Sequence, residues 1–297
     1  MKRKLLGVAA ACALFCGGAA AQVEKPLYKM QPAEVHQYLG ELQKSQPDFR
    51  KRIATLARKN IGQPYEIFLL GEFPYELHDN QPLFDLTKSD CLVFAEHTYA
   101  MAMASTWEEF FWLLQRLRYR DGVIGVATRN HYQEGDWNPA NAWLVSDITR
   151  ALAGAGVARY TMQIDRRAFL KKQFKVERDI AVETVNEVYV PKAMTAEVLP
   201  QLREGDFVNV VSSKGNETLV THTGLIVLGA NGERRLIHSA APMVREESFA
   251  EFVARAAERE ARTPKGREPL RLMGFKFLRL NDNPEPPPMK PQPRPGR

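Results

Sequence analysis

The chain has 297 residues, 44% apolar and 26% charged, ordinary proportions for a globular protein with a real core and room for one large domain or two small ones. Its formal charge is +6, but Lys2, Arg3 and Lys4 stand at the extreme N-terminus, and without those three it falls to +3. So small a charge, carried by scattered basic residues, gives no case for nucleic-acid binding, and fibrous or broadly disordered classes are excluded as well.

The N-terminus reads as a separate unit. Lys2 to Lys4 form a basic flank, Leu5 to Gly18 an apolar stretch, and Ala19-Ala20-Ala21 before Gln22 a small-residue cleavage site. The combination predicts a signal peptide over residues 1–21 and export to the periplasm. A lipid anchor on Cys16 ranks below this, because the bulky Leu14 and Phe15 precede it. No later segment holds 18 uninterrupted apolar residues, so the mature chain is expected to have no membrane span. Cleavage removes Cys12 and Cys16 and leaves Cys91 as the sole thiol of an exported protein, with no internal disulfide partner. On count alone it is equally an inert buried thiol or a reactive one.

Residues 31–60 read as helical, with Pro32 near a start and Val35, Leu39, Leu42, Ile53 and Leu56 at helical spacing. Gly62, Pro64 and Pro74 break the pattern. Ser89 and Asp90 are capping residues before a run of helix formers through Met103, which places Cys91 in the first turn of a largely buried helix. Thr106 with Glu109 three residues later predicts a capping box and another helix. Residues 121–200 are less regular, with a helix near 141–153. Strands are expected at 206–211, 220–228, 235–238 and 270–280, the middle two joined through Asn231-Gly232 as a hairpin. Seven prolines in the last 14 residues predict a disordered tail over 281–297. There is no internal repeat. Helices first and adjacent strands later favour an α+β fold with an antiparallel sheet.

A helix N-terminus stabilises negative charge, so Cys91 is placed for thiolate chemistry, and a thiolate nucleophile needs a base and a group to orient that base. Of six histidines, His222 lies inside a strand, and His238 lies on the return strand of the hairpin, 16 residues on. A hairpin of this length brings the two rings side by side. Glu96 and His97, on the nucleophile's helix, are expected to pack or hydrogen-bond, and His36 and His78 to be surface residues. Trp107, Phe110, Phe111 and Trp112 have core spacing, whereas Trp137 and Trp143 are the better sugar-contact candidates. There is no His-Glu-x-x-His and no close His/Cys pair, so no metal and no cofactor are expected.

Five short motifs occur in order: Gly62-Gln63-Pro64-Tyr65, Asp90-Cys91-Leu92-Val93-Phe94, Glu204-Gly205-Asp206-Phe207-Val208, His222-Thr223-Gly224-Leu225-Ile226 and Ile237-His238-Ser239-Ala240. Together they resemble the papain-like NlpC/P60 cysteine amidase superfamily. Within it the chain is most similar to the DUF1460 N-acetylmuramoyl-L-alanine amidases, through Asp90 to Glu96 and an insertion carrying Arg129 to Trp137. The resemblance implies one amidase domain over residues 22–280, with a large, mainly helical insertion at about 105–200. It implies Cys91 as nucleophile, His222 as base, His238 as its orienting group and Tyr65 beside the oxyanion. Arg129, His131, Tyr132, Asp136 and Trp137 would line a substrate subsite. The implied reaction hydrolyses the N-acetylmuramoyl-L-alanine bond of peptidoglycan fragments, above all anhydro-muropeptides, by a monomer. A γ-D-glutamyl-diaminopimelate endopeptidase with the same centre, or a silent peptidoglycan-binding protein, are the alternatives. Leu92 in place of Ser or Thr, and Thr223 in place of Val, depart from the superfamily pattern.

Overall fold

The computed structural model describes residues 25–292 and 294. The signal-peptide expectation lies outside the described residues. The first helical region is two helices, α1 (Pro32–Ser45) and α2 (Phe49–Lys59). Pro47 separates them, because a proline disfavours helical geometry in the residue before it. α1 starts with Pro32 at its first position and with the Glu34 carboxylate accepting from the Gln31 N–H. α2 starts on Asp48, whose carboxylate accepts from the Arg50 and Lys51 N–H groups. α3 (Cys91–Met103) begins at Cys91 with Asp90 as its cap, and every residue from Val93 to Ala102 is buried. α4 (Trp107–Arg118) is capped by Thr106, but Glu109 turns its carboxylate to Ser105 instead of Thr106.

An antiparallel sheet follows. Its strands are β1 (Val145–Asp147), β2 (Ala158–Ile164), β3 (Glu183–Pro191), β4 (Phe207–Lys214), β5 (Glu217–Leu228), β6 (Arg234–Ala240), β7 (Met243–Ser248) and β8 (Arg271–Leu280). The order is β2-β3-β8-β4-β5-β6-β7, with β1 also on β8. All pairings are antiparallel. α5 (Arg166–Phe174) connects β2 to β3, and α6 (Phe249–Ala261) follows β7. The fold is α+β.

Strand alternation divides the core. Phe207, Leu225, Val227 and Ile237 point towards Phe94 and Tyr99 of α3 and the buried faces of α1 and α2. Their neighbours Val208, Ile226 and Leu236 point the other way, onto Phe249, Phe252 and Ala256 of α6. Residues 222 and 238 share the parity of the α6 face, residues 223 and 239 that of the α3 face.

The insertion holds more helix than strand, but it also supplies β1, β2 and β3 to the sheet. Two expectations need correction. The helix anticipated near 141–153 is interrupted by β1, because Val145 is buried and pairs with Leu280. Residues 281–292 form no helix or strand, as proline dictates, yet they are docked. Gln292 accepts from the Ile124 N–H and donates to the Gly122 carbonyl, and Lys290 pairs with Asp121.

Candidate active site

Cys91 is the first residue of α3 and half-buried. Asp90 Oδ1 accepts from the Val93 N–H at 2.8 Å, which fixes the helix tip. The thiol is not pre-ionised, contrary to the expectation from the helix dipole. Burial, followed by the adjacent Asp90 charge, pushes it up to about 12, while Thr223 and the Leu92 N–H offset only part of this. Desolvation and a like charge outweigh a helix terminus worth about 0.3–1 kcal/mol when exposed.

Buried hydrogen bonds hold this helix tip to the sheet. Ser89 Oγ donates to Gln63 Oε1 at 2.7 Å, and Ser239 Oγ donates to the Ser89 carbonyl at 2.8 Å. Gln63 Nε2 donates to the Leu86 carbonyl at 2.8 Å. The Tyr65 N–H donates to Pro242 O, and the Ser89 N–H to Pro64 O. Three separated motifs thereby converge, and Tyr65 is set beside Cys91. Burial, then the charges of Cys91 and Asp90, raise the Tyr65 hydroxyl to about 12, so it stays protonated and able to donate.

On the α6 face, His222 and His238 meet. His222 Nε2 lies 2.6 Å from His238 Nδ1, and His238 Nε2 lies 2.6 Å from Glu247 Oε1. Glu247 is also held by Arg245 at 3.0 Å and by Arg255 at 2.6 Å. Burial works against its charge, but His238 and the arginines outweigh that and hold it down at about 2. Burial, followed by the His238 and arginine charges, depresses His222 well below the usual histidine range. His238 is lowered too, mainly by burial, with Glu247 opposing. Both rings are therefore neutral, and the donor order follows. An ionised Glu247 accepts from His238 Nε2–H, which leaves His238 Nδ1 to accept from His222 Nε2–H, and His222 Nδ1 keeps a lone pair.

Gly224 makes this pairing sterically possible. A Cβ there would stand 2.7 Å from Leu236 Cδ1 and 3.0 Å from His238 Cβ. Glu247 and Gly224 are site residues that the sequence reading missed. Gly224 had a signal, a glycine between a strand histidine and an apolar run, whereas Glu247 had none without the β6–β7 register.

On β5 it is Thr223, the residue after His222, that acts on the thiol. Among the described residues no hydrogen bond joins Cys91 to His222. Tyr65 connects the two settings: its hydroxyl is within electrostatic reach of the Cys91 thiol, and its side chain lines a cavity of about 430 Å³ with His222 and His238.

The five insertion residues fall into two groups. Arg129 and His131 border a smaller cavity of about 140 Å³ beside Asp90 and Leu92. Arg129 is occupied by Glu72 and by Asp79, the latter at 2.8 Å, while the His131 ring contacts the Val126 carbonyl at 2.7 Å. Tyr132, Asp136 and Trp137 do not line that cavity. Asp136 is buried and paired with Arg166 at 2.8 Å, and Tyr132 packs on Phe169. Trp137 needs correction as a sugar contact: it is 0% exposed, stacked on Phe207, with Nε1 donating to Glu96. Glu96 is paired with buried Arg118 at 2.9 Å, and burial raises it to about 7. Among the described residues no group of three or more His, Cys, Asp or Glu side chains could hold a metal ion, and no helix is long and apolar enough to cross a membrane.

Comparison with solved structures shows the same fold elsewhere. A Legionella pneumophila protein carrying the DUF1460 family model aligns with a TM-score of 0.71 at 17% identity, over 87% of this chain and 96% of that one. An N-acetylmuramoyl-L-alanine amidase from Bacteroides uniformis aligns with a TM-score of 0.58 at 20% identity, over 79% of this chain and 99% of that one. No curated protein matches the chain. The family model described as AmiA-like, N-acetylmuramoyl-L-alanine amidase-like, matches residues 55–257, a span from α2 to α6. On that match, the chain belongs to the AmiA-like family of N-acetylmuramoyl-L-alanine amidase-like proteins.

Proposed function

We propose that the protein is an exported, thiol-dependent N-acetylmuramoyl-L-alanine amidase with a papain-like NlpC/P60 core, acting on peptidoglycan fragments and above all on anhydro-muropeptides. The observation that carries this reading is the hydrogen-bonded series His222–His238–Glu247 on the strand that also supplies Thr223 to the Cys91 thiol. The series leaves a basic nitrogen on His222 and a means of stabilising the imidazolium once it forms.

In this mechanism the resting pair is a neutral thiol and a neutral imidazole. Substrate entering beside Tyr65 excludes water, and the thiol proton passes to His222 Nδ1 while Nε2–H stays on His238. The Cys91 thiolate attacks the lactyl amide carbonyl, and a carbon–sulfur bond forms. The oxyanion lies near the Tyr65 hydroxyl and the Cys91 N–H. The His222 proton passes to the amide nitrogen, the carbon–nitrogen bond breaks and the stem peptide leaves. Water, deprotonated by His222, then hydrolyses the thioester. Arg129 and His131 shape the wall next to Asp90, while Asp136 and Trp137 support that wall from behind.

Digestion of anhydro-muropeptides by the wild type and by Cys91→Ala tests the proposal. The wild type should release a peptide beginning with L-alanine and the free anhydro-sugar acid. Products cut after the D-glutamyl residue would assign the enzyme to stem-peptide cleavage instead.

A further inference from the structure

Two cavities, one beside Asp90 and Leu92 and one beside Tyr65 and His222, differ in charge. The smaller one is bordered by Asp90, Glu96, Arg118 and Arg129, with equal numbers of acidic and basic groups. The larger one, beside His222, is lined by Arg245, Arg255 and Arg259 and by no carboxylate. Behind it, Glu247 alone is shared by His238, Arg245 and Arg255. Arg259 has no ion pair among the described residues, and Glu258 on the adjoining surface pairs with Arg262 at 3.4 Å. Three guanidinium groups thus line the cavity against one carboxylate behind it, while Glu251 and Glu258 act on Arg255 from outside the lining and, among the described residues, form no ion pair with it.

Helical periodicity explains the arrangement. Phe252, Arg255 and Arg259 lie at spacings of three and four on one face of α6. Phe252 stacks on His222 with ring centroids 6.1 Å apart, so the same helix face carries the arginines to the cavity. Arg259 is close enough for its charge to act on His222. Left unpaired at the mouth of a cavity, a guanidinium matches a carboxylate through charge-assisted, bidentate hydrogen bonds.

We propose that this cavity is a carboxylate-recognition subsite, with Arg259 as its free cation and Arg255 and Arg245 as supporting charges, which takes an acidic peptide. Resting on the amidase reading, this orients the substrate. The acidic stem peptide lies along α6, and the neutral sugar lies towards the charge-balanced cavity of the insertion.

Arg259→Gln tests the subsite on two anhydro-muropeptides, one with free peptide carboxylates and one with the same carboxylates amidated. The variant should raise KM about tenfold for the acidic substrate, the effect of losing one charged hydrogen bond, and leave KM for the amidated one unchanged. An equal change for both substrates, or none for either, overturns the proposal. A second arm is independent of turnover: calorimetric binding of the free acidic tripeptide L-alanyl-γ-D-glutamyl-diaminopimelate. Arg259→Gln should weaken it about tenfold with an unchanged melting temperature, and equal affinity in the two proteins overturns the subsite. Tripeptide binding that depends on Arg259, with no hydrolysis by the wild type, would retain the subsite and reject the amidase reading.

Discussion

His238 Nε2 lies 2.6 Å from Glu247 Oε1, and this contact sets the protonation of two rings at once. Because Glu247 stays ionised, His238 must donate to it, His222 must donate to His238, and the remaining nitrogen of His222 is left basic. In the proposed mechanism the carboxylate acts on the Cys91 thiol only through two imidazoles.

Glu247→Gln removes the fixed acceptor and allows the opposite tautomer of His238. We expect kcat to fall about 100-fold with little change in KM, the scale on which loss of an orienting partner acts. Steady-state kinetics on a muropeptide measure the split, and a KM effect without loss of kcat would place Glu247 in substrate binding instead.

The same carboxylate links stability to pH. Its native value, about 2, lies below the ordinary 4.5, so its contribution is present above pH 4.5 and is lost as pH falls towards 2. Melting temperatures between pH 2 and 6 should fall less steeply in Glu247→Gln than in the wild type. An unchanged acid slope would mean that Glu247 is not held ionised by its neighbours.

Alkylation of Cys91 reports its ionisation. With the thiol pushed up to about 12, iodoacetamide should react slowly at pH 7, slower than with a free cysteine, and faster as pH rises through the alkaline range. A rate that is already high and flat between pH 6 and 8 would show a resting thiolate–imidazolium pair.

Gly224→Ala places a methyl group 3.0 Å from His238 Cβ and 2.7 Å from Leu236 Cδ1. Overpacking of this kind costs about 1–3 kcal/mol. Denaturant unfolding should show that loss, and activity should fall with it because the His222–His238 contact is displaced. A variant of wild-type stability and rate would mean that the hairpin absorbs the methyl group.

Trp137→Ala distinguishes core from binding surface. Removing a fully buried indole should destabilise the protein by about 3–5 kcal/mol, and Trp137→Phe by less. A KM effect without any loss of stability would return Trp137 to the substrate site.

What the sequence disclosed depended on how local the determinants are. Asp90 and Cys91 were readable because a helix cap is settled within a few residues, and the β5–β6 hairpin because alternation and Asn231-Gly232 lie together. Glu247 was not readable, since its role depends on β7 pairing beside β6 in one register, and a slip of one residue would turn it to the other face. The thiol's pKa was misjudged for a related reason: dipole and cap are local, whereas burial arises from the whole fold. Trp137 and Asp136 looked like loop residues because their partners, Glu96 and Arg166, are 41 and 30 residues away. β2 and β3 were hidden by their exposed, polar positions, which alternate with few buried ones.

The central claim is that Cys91 carries the acyl group of the substrate. Acid quenching during turnover of an anhydro-muropeptide, followed by mass spectrometry of the peptide containing Cys91, tests it most directly. The account requires an adduct of the anhydro-muramoyl group on that peptide in the wild type and none in Cys91→Ala, which should be inactive. Turnover by Cys91→Ala at the wild-type rate would contradict it.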